Sequence, residues 1–556
     1  MGKKLSKSIM ICSFLYSFAL AISFVLGIQL KHLGYTWSGV RGKLSIIAVS
    51  LLASVFIVPF IYFIICLIGK SKYKFEKKEI VVKEKYKVFL ICFLSIFLLW
   101  IPRFLAFYPA IMSYDFNTQY ISARTGLSSF TTHHPLIHTF LIRQFLLLGD
   151  LIGSPEIGMA LFSLTQMMIL SAIMAYSCVM MANLTRSKIW SYISALFFSL
   201  FPVHSILSVC ITKDILFSAF FLLFVTFLIR ISFSNGKEKK SILLFSILAG
   251  VMTMLFRNNA LYAFIVFTPI WVVLSTQKRI RNLFVSIAII VLSIGILFSS
   301  KVFFRAESGS KIEMYSVMLQ TFARTGLNHS DILTEKEFAI IDYYVPQEVW
   351  SSYNPGISDN VKSCTVTEFY KWENNKIDLL KDWIYIGLHY PNDYIDAFLA
   401  LTCGYWSILD ESHANVWGNG SSMGTGLIST FNASTTDKYE KIENKSFIPW
   451  LEKMDRKLVN DNTYLSIPIV SILFKPAFYC WILFFIFVSS LFLKKKKVFI
   501  VTLWPTIYLM TMYLGPVVNY RYVYPILISL PLLLAFLFSD RVKDKASIVT
   551  NLDSVE

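Results

Sequence analysis

Charge is scarce in this chain. Only 15% of its 556 residues are Asp, Glu, Lys or Arg, against roughly 25% in a soluble domain, which argues against a soluble enzyme. Cysteine is scarce too, with eight residues, while 56% of the chain is hydrophobic. Together these exclude disorder, a collagen-like repeat and a disulfide-dense secreted scaffold. The cysteines form no CxxC pair and no metal-ligand spacing. Six lie in or beside apolar runs, and only Cys364 and Cys403 leave a disulfide open. Also missing are a Walker A loop, a Rossmann glycine fingerprint, an HExxH helix and a GxSxG elbow.

What the chain has instead is long apolar runs. Residues 8–30, 44–69 and 156–182 are nearly uncharged and long enough to cross a hydrocarbon core of about 30 Å. The first follows MGKKLSK but ends in IQLKHLGYTW, without a small-residue cleavage site, so it reads as a signal anchor. Twelve spans are predicted: 8–30, 44–69, 88–106, 156–182, 189–207, 214–232, 241–256, 259–275, 282–299, 466–491, 498–515 and 522–539. With the N-terminus inside, the connections MGKKLSK, 70–87, NLTRSK, SFSNGKEKK, STQKRIRN, 494–497 and DRVKDK share one side, and each is basic. The expectation is an all-α polytopic membrane protein with about twelve transmembrane helices and both termini cytoplasmic. Richness in Lys, Phe and Ile with little Arg points to a bacterial plasma membrane.

The net charge of +18 invites a nucleic-acid reading, and its distribution answers it. Segment 301–465 holds 15 basic against 22 acidic residues, and the remainder holds 37 against 12. The basic excess therefore sits in short connections between apolar runs, where it sets orientation. Nucleic acid is not an expected partner. The chain divides into a two-span extension with a basic loop (1–87), a transmembrane core (88–299) with a first external loop (107–155), an extracytoplasmic domain (300–465), C-terminal spans (466–540) and a cytoplasmic tail (541–556).

That orientation gathers the chemically informative residues on the external face. Asp115, in YDFNTQ, suits a general base for an acceptor hydroxyl; a solvated loop aspartate or helix N-cap is the plain alternative. His133, His134 and His138 surround Pro135 and carry three open readings. His134 and His138, four apart on one helical face, bind a metal with Asp115 as third ligand; or the histidines line a phosphate pocket, or cap an interfacial helix. Lys213 and Asp214, in ITKDILF, offer a phosphate contact and a second carboxylate, or a snorkelling anchor. Arg257 and two asparagines interrupt an apolar stretch in LFRNNALY. Tyr520 and Arg521 open the last span in NYRYVYP, where an aromatic belt explains the tyrosines and a guanidinium matches a phosphate. One base, several cations and many aromatics on one face suit transfer of a group from a lipid-borne phosphate, with the cations stabilising developing negative charge.

In this order of elements the chain resembles the GT-C class of membrane glycosyltransferases, which use polyprenyl-phosphate-linked sugars. The likeness rests on YDFNTQ in the first large external loop, HHPL before the next span, TKDILF before a later one and RYVYP at the last. FRNNALY and SVMLQTFART resemble a little-characterised bacterial branch of that class with two added N-terminal spans. The resemblance implies Asp115 as catalytic base and His134 on the carrier phosphate. It implies a polyprenyl-phosphate-linked sugar donor and a surface glycan, polymer or glycolipid acceptor at the outer face. Many relatives carry two adjacent acids where this chain has Asp115-Phe116, so a divalent metal ion is the one cofactor left open. The tryptophan-rich signature of oligosaccharyltransferases is absent, which argues against peptide asparagine as acceptor.

The acidic 300–465 segment is rich in tryptophan (Trp350, Trp372, Trp383, Trp406, Trp417), which serves either a core or stacking on sugar rings. Helical patterning runs through 312–325, 365–388 and 392–403, and the Gly/Ser-rich run 417–430 reads as a lid over substrate. Two other functions compete. A polysaccharide ligase or polymerase relies on loop arginines, and this loop has only Arg305, Arg324 and Arg456. A flippase or transporter of a lipid-linked sugar predicts internal repeats and broken midplane helices, with charges near the membrane midplane.

Overall fold

The computed structural model describes residues 3–34, 36, 39–70, 82–112, 114–233, 239–275, 278–409, 442–459, 463–467 and 469–539. The run 417–430, Trp417 and the tail 541–556 lie outside the described residues, as does most of the 70–87 connection. Within a bilayer a helix satisfies its own backbone N–H and C=O groups, and the described chain is nearly all α-helix.

Helices α1 (Lys3–Leu33) and α2 (Gly39–Lys70) form an antiparallel hairpin, followed by α3 (Val82–Ala106). A two-residue strand β1 (Ile111–Met112) then leads into α4 (Tyr114–Thr125), α5 (Leu136–Ile152), α6 (Pro155–Thr185), α7 (Lys188–Leu200) and α8 (Pro202–Ser208). A second short strand, β2 (Cys210–Ile211), precedes α9 (Lys213–Phe233), α10 (Lys240–Phe256), α11 (Asn258–Leu274) and α12 (Arg279–Phe304). The polar domain contributes α13 (Ser316–His329), α14 (Glu335–Tyr344), α15 (Gln347–Trp350), α16 (Asp359–Cys364), α17 (Val366–Trp372), α18 (Lys376–His389), α19 (Pro391–Trp406) and α20 (Pro449–Val459). The chain returns through α21 (Val470–Leu473), α22 (Pro476–Phe492), α23 (Lys496–Met512) and α24 (Tyr520–Phe538).

Among the described residues seven helices are long and apolar enough to cross a membrane, lying in α1, α2, α3, α6, α9, α12 and α24. The chain is a multi-pass membrane protein. The apolar stretch expected as one span over 189–207 is broken: α7 and α8 meet at a 63° bend, where Pro202 lacks the N–H needed to continue a helix and starts a new one. If that pair is one span, the number rises to eight. Helices α10, α11 and α22 are apolar but only 17 residues long. The stretch 466–491 is also divided, because the chain turns through α21 and restarts at Pro476.

The polar domain has its own core, in which Trp350, Trp372, Phe322, Tyr344 and Ile386 are buried. Trp350 and Trp372 are therefore packing residues. Cys364 is exposed and Cys403 is buried among Leu26, Ile46 and Trp406; no disulfide joins them. Contacts that pin the domain to the membrane helices include two at the loops between those helices. Arg324 ion-pairs with Asp396, which accepts the Thr36 backbone N–H at 2.7 Å from the α1–α2 loop. The Ser358 N–H donates to Pro516 O at 2.9 Å, fixing the loop that leads into α24.

Helices α5 and α6 cross glycine on glycine. A Cβ at Gly158 would stand 2.2 Å from Phe145 O, and one at Gly149 would stand 2.7 Å from Ser154 O. Both obstacles are backbone atoms and cannot rotate away. Gly158→Ala is expected to force the helices apart at a cost of about 1–3 kcal/mol, read as a lower unfolding midpoint of the detergent-solubilised protein. An unchanged midpoint would contradict the close crossing.

Candidate functional site

The site begins with two short strands. β1 and β2 pair in parallel, with Ile111 opposite Cys210 and Met112 opposite Ile211. From α6 the buried Gln166 amide donates to Ser208 O and Cys210 O, both at 2.9 Å, and holds β2 in place. After each strand the chain reads Ser/Thr, any residue, Asp: Met112-Ser113-Tyr114-Asp115 and Ile211-Thr212-Lys213-Asp214. The register therefore brings Asp115 and Asp214 to equivalent positions, each in the first turn of its helix. This internal likeness was legible in the sequence and was not used.

Three cations meet these two carboxylates. Asp115 Oδ2 lies 3.3 Å from Lys213 Nζ and 3.2 Å from Arg521 Nη1. Asp214, whose side chain is fully buried, ion-pairs with Arg257 and stands 3.5 Å from Arg521 Nε. The Thr212 hydroxyl donates to Asp214 Oδ2 at 3.3 Å. Arg257 stacks over the Tyr522 ring at 4.4 Å and donates to Asn259 Oδ1 at 3.0 Å. Asp115 keeps 20% of its side chain exposed, so the cluster has an open side at that residue.

Lys213 Nζ also approaches His134 Nδ1 at 3.3 Å. An ammonium can only donate, so Nδ1 accepts and a neutral His134 carries its proton on Nε2. Burial and the neighbouring Lys213 push His134 down to about 3. For Asp115, burial opposes ionisation, but Arg521, Lys213 and His134 outweigh it and hold the carboxyl well below the usual range. Three cations against two carboxylates leave one positive charge.

Helix ends add to that charge. Asp115 sits in the first turn of α4, Lys213 and Asp214 in that of α9, and Arg521 in that of α24, while Arg257 is the N-cap of α11. His134 stands two residues before α5. Five N-termini, each with the positive end of its macrodipole and unpaired N–H groups, thus converge on one place. Cations at helix N-termini are unfavourable on their own; the two carboxylates offset them only in part. The arrangement is a cluster of net positive charge at converging helix N-termini.

The remaining residues of interest lie near but not in this cluster. His133 is exposed and stacks edge-on against His134 at 4.7 Å. His138 is buried one turn into α5, with Nδ1 3.1 Å from Gln119 Oε1 and its ring against Phe162. Tyr520, expected beside Arg521 at the site, turns away: its hydroxyl donates to Leu473 O at 3.0 Å and its ring meets Tyr479. Successive helical residues point about 100° apart, so Arg521 faces the carboxylates while Tyr520 cannot. Tyr522, assigned in sequence to an aromatic belt, instead covers Arg257 and lies within 5.3 Å of Arg521. Among the described residues no three His, Cys, Asp or Glu side chains are placed to hold a metal ion. Of the residues in the metal reading, His134 turns its Nδ1 to Lys213 and His138 its Nδ1 to Gln119.

An apolar groove of about 350 Å³ adjoins the cluster. It is lined by His134, Leu136, Leu261, Leu297, Phe298 and Lys301, so His134 belongs to both. Phe298 is 67% exposed toward the outside of the helix bundle, where a bilayer would lie.

A model of a family of unknown function, DUF6020, matches residues 123–549. The match takes in His134, Lys213, Asp214, Arg257 and Arg521 and begins past Asp115. No curated protein and no solved structure matches the chain.

The charge states carry a signed pH dependence. A histidine held at about 3 when folded and 6.5 otherwise binds a proton only in the unfolded chain across that window, so stability falls as pH drops from 6.5 toward 3. His138, also pushed down to about 3, acts in the same direction. Asp115, held below its ordinary value, adds to the loss at the acid end. Unfolding midpoints measured from pH 7 to pH 4 should fall, and His134→Gln should flatten that slope. An identical slope in the variant would contradict the buried neutral imidazole.

Proposed function

The chain belongs to the DUF6020 family, and we propose that it is a membrane glycosyltransferase that moves a sugar from a polyprenyl-phosphate carrier to a surface glycan, polymer or glycolipid. One observation supports this most: a single carboxylate, Asp115, shares Lys213 and Arg521 at an open anion site bordered by an apolar groove. That combination suits a phosphate attached to a hydrocarbon tail, next to a base. The steps below use this chain's own residues.

The donor's phosphate lies between Lys213, Arg521 and the His134 Nε2–H, with its tail in the groove beside Leu261, Leu297 and Phe298. By taking up Lys213 and Arg521 it loosens their hold on Asp115, which becomes a better base. The acceptor hydroxyl oxygen then bonds to the anomeric carbon as its proton passes to Asp115. The bond from that carbon to the phosphate oxygen breaks, and the electron pair leaves with the phosphate, where the cations and helix N-termini stabilise it. Asp214, clamped by Arg257, fixes Arg521.

Twelve spans with both termini cytoplasmic complete the proposal, counting α10, α11, α22, α23 and the bent α7–α8 pair as spans. The basic connections before α3, between α6 and α7, between α9 and α10, between α11 and α12 and between α22 and α23 then share the cytoplasmic side. The N-terminal ends of α9, α11 and α24 lie at the opposite end of each helix, so the site faces outward from a bacterial plasma membrane.

The test compares surface glycans by mass spectrometry in cells with the wild-type chain, no chain, or Asp115→Asn at equal protein level. One sugar substituent should vanish in both altered strains, with a rate loss in Asp115→Asn on the order of 10²–10⁴. A deletion effect that Asp115→Asn fails to reproduce would remove Asp115 as the base. A glycan unchanged in both would remove the transferase reading.

A further inference from the structure

Helix α9 carries a second arrangement at its other end that the chemistry above does not use. Between α6, α9 and α10 lies an open cavity of about 420 Å³, walled by Leu223, Phe227, Leu248 and Met252, with Tyr176 and Arg230 as its polar groups. Arg230 is sixteen residues along α9 from Asp214, roughly 24 Å at the helical rise, so the cavity is near the opposite end of the bundle from the anion site. Its outer wall is open to lipid: Leu248 is 48% exposed and its neighbour Phe245 is 55% exposed.

Arg230 is half-buried and donates to the Tyr176 hydroxyl. Among the described residues no carboxylate pairs with it. A guanidinium on a membrane-spanning helix needs an anion or a water-filled cavity, and an apolar wall supplies neither. Tyr176 accepts from Arg230 through its oxygen, which leaves its own proton to donate. The pair thus presents several donors to one tetrahedral anion at the mouth of an apolar cavity. Lys239 and Lys240, both exposed at the start of α10, extend the positive surface. A cavity of this volume is at the lower end of the roughly 300–1,000 Å³ of ligand sites and suits one hydrocarbon chain.

We propose that this cavity binds an anionic phospholipid from the leaflet opposite the anion site, one acyl chain between α9 and α10 and the phosphate on Arg230 and Tyr176. The lipid braces the two helices whose far ends hold Asp214 and Arg257, so its occupancy helps keep that ion pair in register. This inference is independent of the transferase reading, because it concerns binding to the unliganded protein.

The test is native mass spectrometry of the purified full chain titrated with phosphatidylglycerol, phosphatidylcholine or inorganic phosphate. Retention of phosphatidylglycerol over phosphatidylcholine is expected. Arg230→Gln should weaken it roughly tenfold, Arg230→Lys should restore part of it, and Leu248→Trp should weaken it by filling the cavity while keeping the cation. Should Arg230→Gln fail to fold, Arg230→Lys and Leu248→Trp decide alone. Equal retention of both lipids, wild-type retention in Leu248→Trp, or full displacement by inorganic phosphate would each overturn the proposal.

Discussion

Like charges and like dipole ends do not gather without compensation, and at one end of this bundle they gather densely. Lys213, Arg257 and Arg521 meet where five helices begin, offset among the described residues by Asp115 and Asp214. Much of the surrounding structure serves to hold that excess. The β1–β2 pairing aligns the two acids, and Gln166 fixes β2 from behind. Arg124 on α4 pairs with Asp150 on α5 at 2.6 Å, tying the segment that bears Asp115 to α5. Asn519 caps α24 and accepts the Arg521 N–H, and the polar domain grips Pro516 just before it.

The fold was largely readable because a bilayer imposes one local rule. Apolar runs of sufficient length must be helices, and basic connections mark one side; α1, α2, α3, α6, α9, α12 and α24 follow from that. The failures are also local and physical. Pro202 and Pro476 restart helices inside runs that hydropathy alone reads as continuous. In the polar domain the patterned stretch 365–388 divides into α17 and α18, because the chain turns at residues 373–375 between Trp372 and Lys376.

The site was legible as a set of residue types on one face and not as a geometry. Asp115, Lys213 and Arg521 are far apart in sequence; the parallel register of two dipeptides brings the first two together, and α24 packed on α6 and α9 adds the third. The Ser/Thr-x-Asp likeness after each strand was the available clue. Tyr520 was misplaced because a neighbour in sequence was treated as a neighbour in space, whereas helical phase sends it to Leu473. His138 follows the same lesson: it shares a face with His134 but lies a turn deeper, against Phe162 and Gln119.

The central claim is that Asp115 and its cations cleave a sugar–phosphate bond at this face instead of moving an intact lipid past it. The direct measurement is reconstitution of the purified chain in liposomes with a polyprenyl-phosphate-linked sugar and a soluble glycan acceptor, following carrier phosphate and sugar separately. Release of the carrier phosphate in step with sugar on the acceptor, abolished by Asp115→Asn, is the expected result. Transfer of the intact donor between leaflets without release, insensitive to Asp115→Asn, would contradict it.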